Sequence, residues 1–404
     1  MEAQSCPFSW ERARMSVQIV HCSDLHLDKN FNVGSIARNY IRKKDLDDNF
    51  SEVVSYAIDN RADLFLISGD VFDRVMPGNF SRDFLARQLK DLNGHGISVF
   101  IVGGNHDVPK VPEIPTLALD VLDTVGLATV FSRSDILGHR TLNVNGLNVC
   151  VSGKSYFSQR ENENPLAGQK IPVDGDVNIL MLHGSLTGLN VVSSVPQMAS
   201  QNPFAPEDIP KRLDFLALGH YHNAFDRRVG QSLICNPGSI EKLTWAEVND
   251  NKGFYWVELG KGKSTCEFVK LETRPMRDEQ FTLKGEEIDD PTSAVLEFLA
   301  SRKDREAMLR LKLRGLVSQD TYSKLRLSDI YRAGPEDFFS LTVDRTELEI
   351  SRIGKVFTGR TETPLEAFST RMDALIKDSG TDARRAELLR EAKEVGLSYL
   401  GGQP

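Results

Sequence analysis

The chain predicts a layered α/β fold, α+β in its overall mix. Six short apolar runs alternate with stretches of helical spacing, polar residues fall just past the ends of those runs, and the composition is 40% hydrophobic with 26% charged. At roughly 150 residues per domain, a chain of 404 residues holds two or three domains with a sizeable core.

The runs are VQIVHCS (17–23), LFLIS (64–68), SVFIVGG (98–104), LNVCVSG (147–153), VNILMLH (177–183) and DFLALGH (214–220). Between the first two, Asn39 to Ala62 carries Phe50, Val53, Val54, Ala57 and Ile58 at helical spacing, and Phe80 to Leu92 reads the same way. Each unit is too short to stand alone, so the strands should share one or two packed sheets. Thr273-Arg-Pro-Met276 punctuates this region. Beyond it, Pro291 opens a helix to Arg302 with Val295, Leu296, Phe298 and Leu299 as its apolar face. LRLKLRG (309–315) alternates strictly, with Leu309, Leu311 and Leu313 on one face and Arg310, Lys312 and Arg314 on the other. That basic face is either solvated surface or a phosphate-facing one. Phe338 to Ile350 is strand-like. Leu365, Phe368, Met372, Leu375 and Ile376 form one amphipathic stripe, and Leu388, Leu389, Ala392 and Val395 a second after Gly380, to pack on the domain or on a partner's helix.

No run approaches the roughly 18 apolar residues of a membrane span, which excludes an integral helical membrane protein. MEAQSCPFSWERAR (1–14) has no apolar core of a secretory signal and reads as a flexible extension, or as a start placed upstream of Met15. The five cysteines (Cys6, Cys22, Cys150, Cys235, Cys266) are odd in number and form no C-x-x-C pair, the usage of a reduced, intracellular chain without a thiolate zinc site. The charge of 49 − 57 = −8 speaks against a protein that coats nucleic acid by itself, yet leaves a nuclease open, because a metal centre brings its own positive charge.

Asp24-Leu25-His26 follows the first run, Gly69-Asp70 with Asp73 the second, Gly104-Asn105-His106-Asp107 the third, His183-Gly184 the fifth and Gly219-His220-Tyr221-His222 the sixth. Residues just past strand carboxyl ends converge on one crevice. A lone D-x-H carries no weight, a lone strand-end histidine is usually structural, and Gly-Asp is ordinary turn chemistry. Five such segments in this order are not explained by packing. Of eight histidines, only His95 and His139 lie elsewhere, and they receive no role. Carboxylate, imidazole and amide ligands suit manganese, iron or zinc. Seven ligands exceed one tetrahedral ion but serve two, and paired metals roughly 3.5–4 Å apart are a recurring engine of phosphoester hydrolysis. The flanking Gly69, Gly104, Gly184 and Gly219 let backbone and substrate come close.

These segments resemble the calcineurin-like metallophosphoesterase signature. His21-Cys-Ser-Asp-Leu-His-Leu27, Gly69-Asp-Val-Phe-Asp-Arg74, Cys235-Asn-Pro-Gly-Ser-Ile-Glu-Lys242, Lys252-Gly-Phe-Tyr-Trp-Val-Glu258 and Thr273-Arg-Pro-Met276 resemble the SbcD-type DNA repair exonucleases, over roughly residues 15–276. The resemblance implies a four-layer α/β/β/α sandwich over 15–276, a small α/β capping domain over 277–350 and a C-terminal helical partner-binding region over 351–404. It implies two divalent metal ions, manganese foremost: Asp24, His26 and His222 on the first, Asp70 bridging, and Asn105, His183 and His220 on the second. His106 would be the catalytic acid and not a ligand. Asp73 and Asp107 would orient ligands, with a helix N-cap or turn role equally open for Asp73. The implied activity is exonuclease and single-strand endonuclease cleavage of DNA in double-strand break repair, by a homodimer working with an SbcC-type SMC-like ATPase, in the cytoplasm at the nucleoid and away from membranes. Two departures stand out: Asp28 where the family commonly has Gly, a carboxylate that either repels a phosphate backbone or faces solvent, and Asn236 where an aromatic residue often precedes Pro-Gly-Ser. The same metal chemistry on a small phosphodiester or a phosphoprotein stays open. A scaffold that has lost hydrolysis is disfavoured by the complete ligand set.

Overall fold

The apolar runs become strands because their branched and leucine side chains are buried on both faces, as strands inside a stacked pair of sheets require. The computed structural model describes residues 15–110, 116–133, 135–188, 200–261, 263–284, 288–351, 363–380 and 383–400; the expected N-terminal extension lies outside them. The chain lays down β1 (Ser16–Cys22), α1 (Ile36–Asp59), β2 (Leu64–Ser68), α2 (Asn79–Gly94), β3 (Ser98–Val102), α3 (Asp120–Thr124) and β4 (Thr129–Phe131). A second series follows: β5 (Gly138–Val144), β6 (Leu147–Lys154), β7 (Val177–His183), β8 (Phe215–Gly219), β9 (Phe225–Val229) and β10 (Ser232–Asn236). β11 (Gly253–Gly260) and β12 (Lys263–Lys270) return to the first sheet.

The first sheet runs β12-β11-β1-β2-β3-β4 and the second β5-β6-β7-β8-β10-β9. β1 to β4 are parallel, with β11 antiparallel to β1; β6, β7, β8 and β10 are parallel, with antiparallel β5 and β9 at the edges. One core lies between the sheets, from Ile19, Leu64, Leu66 and Phe100 on one side to Val149, Ile179, Met181 and Phe215 on the other. A second core packs α1 and α2 on the outer face of the first sheet, where Phe50, Val53, Leu85 and Leu89 meet Phe65 and Ile101. Leu166, Leu186, Phe204, Ile209 and Leu213, from loops and short 3-10 turns, cover the outer face of the second sheet. The mixed α/β sandwich that the sequence predicts is the architecture found.

β13 (Met276–Thr282), α4 (Pro291–Ala300), β14 (Asp304–Val317), α5 (Gln319–Lys324), α6 (Leu327–Asp337) and β15 (Phe338–Ile350) follow, with a sheet β13-β14-β15. Leu309, Leu311 and Leu313 are fully buried, as the alternation requires. The opposite face is counter-charged: Arg310 meets both Asp278 oxygens at 2.6 and 2.5 Å, Lys312 reaches Asp278 at 3.0 Å, and Arg314 pairs with Glu347 at 2.7 Å. Pairing to acids on neighbouring strands favours the solvated-surface reading over the phosphate-facing one. Arg274 of the Thr-Arg-Pro-Met punctuation ties this region to α1: it pairs with Asp45 at 2.7 Å and lies over the Phe339 ring at 4.0 Å.

By contacts the chain divides into Met1–Thr282, Thr292–Arg314 and Arg326–Glu347 as one compact unit, and Leu283–Pro291, Gly315–Leu325 and Leu348–Pro404 as another. In the second, α7 (Pro364–Asp378) and α8 (Ala383–Leu400) pack on each other: a Cβ at Gly396 would strike the Phe368 ring, and Lys393 pairs with Asp373 at 2.6 Å. Thr363 and Glu366 form a capping box at the start of α7. Among the described residues no helix is long and apolar enough to cross a membrane.

Candidate metal centre

The loops after β1 and β2 zip together: Asp24 N–H donates to Gly69 O at 3.0 Å, His26 N–H to Asp70 O at 2.9 Å and Leu27 N–H to Val71 O at 3.0 Å. This sets Asp24, His26 and Asp70 side by side. The second sheet is stitched to the same place, because the His183 Nδ1 at the end of β7 lies 2.9 Å from Ser68 O and the Ser68 hydroxyl donates to Ala217 O at 3.0 Å. Asp24, His26, Asp70 and His220 all have left-handed backbones, with φ of 51°, 46°, 47° and 105°. Non-glycine residues resist that region, and such strain collects at functional sites.

All seven predicted ligands meet here. Asp24, His26, Asp70, His183, His220 and His222 are buried. Asp24, His26 and His222 bring one ligand atom each within 4.8 Å of one another, as do Asp24, Asp70 and His183. Asp70 Oδ2 stands 3.5 Å from both His26 Nε2 and His183 Nε2. Asn105 Oδ1 lies 3.0 Å from His183 Nε2 and 3.2 Å from His220 Nδ1. Burial opposes ionisation of Asp70, but the imidazoles of His183 and His26 outweigh it and hold the carboxyl well below the usual carboxylate range. Burial pushes the His26 ring down.

Three of the flanking glycines, Gly69, Gly104 and Gly219, make room for groups of the site itself, while Gly184 lies against the Asn202 carbonyl. A Cβ at Gly69 would strike the His183 ring, one at Gly104 the Asp70 carboxylate, and one at Gly219 the Ser68 carbonyl.

The remaining predicted residues surround this cluster. His106 is half-buried; its N–H donates to Asp70 Oδ1 and its Nδ1 lies against Asp73 O, both at 2.9 Å. Its ring stands edge-on to His26 with centroids 4.7 Å apart, and His26, Asp70 and His106 also offer converging ligand atoms. Asp73 Oδ1 takes His26 Nδ1 at 3.0 Å and Lys29 Nζ at 2.9 Å, and the residue capping α2 is Gly78. Burial raises the Asp73 carboxyl, yet the His26 and Lys29 contacts prevail and hold it at about 2. Asp107 accepts from the N–H groups of Val71, Phe72 and Gly104 at 2.9–3.0 Å and so fixes the two loops that carry Asp70 and Asn105. Asp28 is neutralised by Lys43 at 2.8 Å and Arg74 at 3.6 Å, and accepts from Gly78 N–H at 3.0 Å. Asn236 donates to Tyr221 O at 2.7 Å and Asn223 O at 3.1 Å, bracing the loop that carries His222.

Sequence reasoning missed Glu247. It is fully buried and takes His222 Nδ1 at 3.1 Å. No motif marks it: the nearest stretches that carry the resemblance, 235–242 and 252–258, stand on either side of it.

The donor set fits a divalent metal pair. Among the described residues His26 Nε2 and His222 Nε2 are buried without a hydrogen-bond partner, while the other nitrogen of each ring faces a carboxylate. A carboxylate cannot donate, so Nδ1 carries the hydrogen and Nε2 presents a lone pair. A buried, unsatisfied acceptor costs about 1–3 kcal/mol, a penalty that a cation at this point removes.

Residues 17–224 match the family model described as calcineurin-like phosphoesterase. The chain is 26% identical over 294 residues to the DNA double-strand break repair protein Mre11 of Thermoplasma acidophilum, covering 69% of this chain and 73% of that protein. It is 24% identical over 418 residues to the Methanopyrus kandleri protein of the same name, covering 96% and 82%. It is also 27% identical over 258 residues to the uncharacterized metallophosphoesterase YhaO of Bacillus subtilis, covering 62% and 59%.

Proposed function

The chain belongs to the calcineurin-like phosphoesterase family, and from that premise we propose that it is a two-metal DNA phosphodiesterase of double-strand break repair. The observation that supports this is Asp70 Oδ2, which stands 3.5 Å from both His26 Nε2 and His183 Nε2, where one carboxylate would serve two metal positions. Asp24, His26 and His222 would hold the first position, and Asn105, His183 and His220 the second. When bound, the two ions, manganese by preference, supply a hydroxide nucleophile and offset charge on the phosphate oxygens. His106 acts as the general acid. Its Nδ1 stays hydrogen-bonded to Asp73 O, so Nε2 is the atom that gives its proton to the leaving sugar oxygen.

DNA as the substrate is supported by the names of the Mre11 relatives and by the neutralised state of Asp28, whose charge is spent on Lys43 and Arg74. Residues 15–276 form the nuclease domain in this reading, 277–350 the cap and 351–404 the segment that binds an SbcC-type ATPase. The working form is a homodimer at the nucleoid, where partner and second copy supply the DNA-binding surface that an acidic chain lacks.

The test is hydrolysis of labelled single- and double-stranded DNA with manganese, with chelator, and at rising salt. Metal-dependent cleavage that weakens steeply with salt is expected, because phosphate contacts release counterions. Intact DNA beside hydrolysis of a small phosphodiester, with the ATPase partner present, would overturn the DNA reading and leave the metal chemistry standing.

A further inference from the structure

Glu247 closes a single-turn 3-10 helix (Trp245–Glu247) between β10 and β11. Its two carboxylate oxygens divide their contacts. Oε1 faces His222 Nδ1 at 3.1 Å and accepts from the Thr244 hydroxyl at 2.9 Å. Oε2 accepts from Lys252 Nζ at 2.7 Å and from Ser239 Oγ and Leu243 N–H at 3.2 Å. Lys252, also fully buried on its side chain, donates to the His222 carbonyl at 2.8 Å and to Ser239 Oγ at 2.9 Å. Lys252 thus grips His222 twice, by its backbone directly and by its ring through Glu247.

Burying an ammonium and a carboxylate carries a desolvation cost that a well-packed apolar pair avoids, so stability does not explain why this pair is here. One contact from each member does: both reach His222, whose outer ring nitrogen, Nε2, is buried with no hydrogen-bond partner among the described residues. We infer that Glu247 and Lys252 are positioning residues of the metal centre. Glu247 fixes the Nδ1–H tautomer of His222 and the rotation of its ring, so that the Nε2 lone pair faces the first metal position, and Lys252 anchors both Glu247 and the His222 backbone. This rests on the reading of His222 as a metal ligand. His26 is held in a parallel way by Asp73 and Lys29, whereas the Nδ1 of His183 faces the uncharged carbonyl of Ser68.

The test uses full-length, metal-free protein labelled with ¹⁵N-histidine, with His222→Asn to assign the ring signals. In Glu247→Gln, Lys252 competes for the single amide oxygen and turns the amide N–H toward the ring. Glu247→Leu/Lys252→Met removes both buried charges together and keeps the question open to measurement where the single variant fails to fold. Wild type should show His222 as the Nδ1–H form. Either variant should shift it toward Nε2–H or a mixture, and manganese affinity by calorimetry should fall about 10- to 100-fold. A folded variant that keeps the Nδ1–H form and full manganese affinity overturns the inference. If His222→Asn itself leaves manganese affinity and stoichiometry unchanged, the ligand reading has failed, while the tautomer signal still judges the Glu247 contact by itself.

Discussion

Asp70 Oδ2 stands 3.5 Å from His183 Nε2, so a carboxylate from the first sheet and an imidazole from the second share one point between the sheets. Since Asp70 stands equally close to His26, Asp70→Ala should abolish binding at both metal positions. Metal content after dialysis measures this, and a variant that retains two ions contradicts the bridging role.

His106 meets the centre from one side and is braced by Asp73 O. His106→Asn is expected to keep two bound ions and lose cleavage by a factor of about 100 or more, the scale of a lost acid catalyst. Loss of metal in this variant would make His106 a ligand instead, as its nearness to His26 and Asp70 allows.

Gly104 has no room for a side chain, because a Cβ there overlaps the Asp70 carboxylate and amide. Gly104→Ala should therefore displace Asp70 and weaken metal binding while circular dichroism stays native. Unchanged metal affinity would show that the loop yields without moving Asp70.

Arg42 is fully buried on α1, paired with Asp45 at 2.7 Å and Glu241 at 3.1 Å, and donates to Lys242 O at 2.8 Å. Arg42→Met leaves Glu241 buried and short of a cation, which costs about 3–5 kcal/mol. Urea unfolding should show that loss, with part of it recovered in Arg42→Met/Glu241→Gln.

On α8, Leu388, Val395 and Tyr399 are 62%, 57% and 85% exposed, so packing between α7 and α8 leaves part of the apolar stripe uncovered. Deleting residues 361–404 should abolish co-purification with an SbcC-type ATPase and leave small-phosphodiester hydrolysis intact. Retained co-purification places the contact elsewhere.

The strands and the cluster of candidate ligands were legible because both obey local rules. Buried parallel strands read as continuous apolar runs; Asp24, Asp70, Asn105 and His220 follow their ends within a few residues, and His183 is the last residue of its strand. Glu247 was hidden because it reaches His222 across 25 residues from a 3-10 turn without periodicity. α6 was hidden by Pro335, which reads as a helix breaker yet lies inside its last turn. The purpose of Asp28 and Asn236 could not be read, because their partners Lys43, Arg74 and Tyr221 come from other elements.

The left-handed backbones at Asp24, His26, Asp70 and His220 set evolution two opposed tasks. Each such residue costs on the order of 1–3 kcal/mol that glycine would largely escape. A laboratory selection that rewarded only heat tolerance would relieve this strain with glycine only by discarding the side chains that form the metal centre. Any programme of thermostabilisation therefore has to hold them fixed and seek its gains elsewhere.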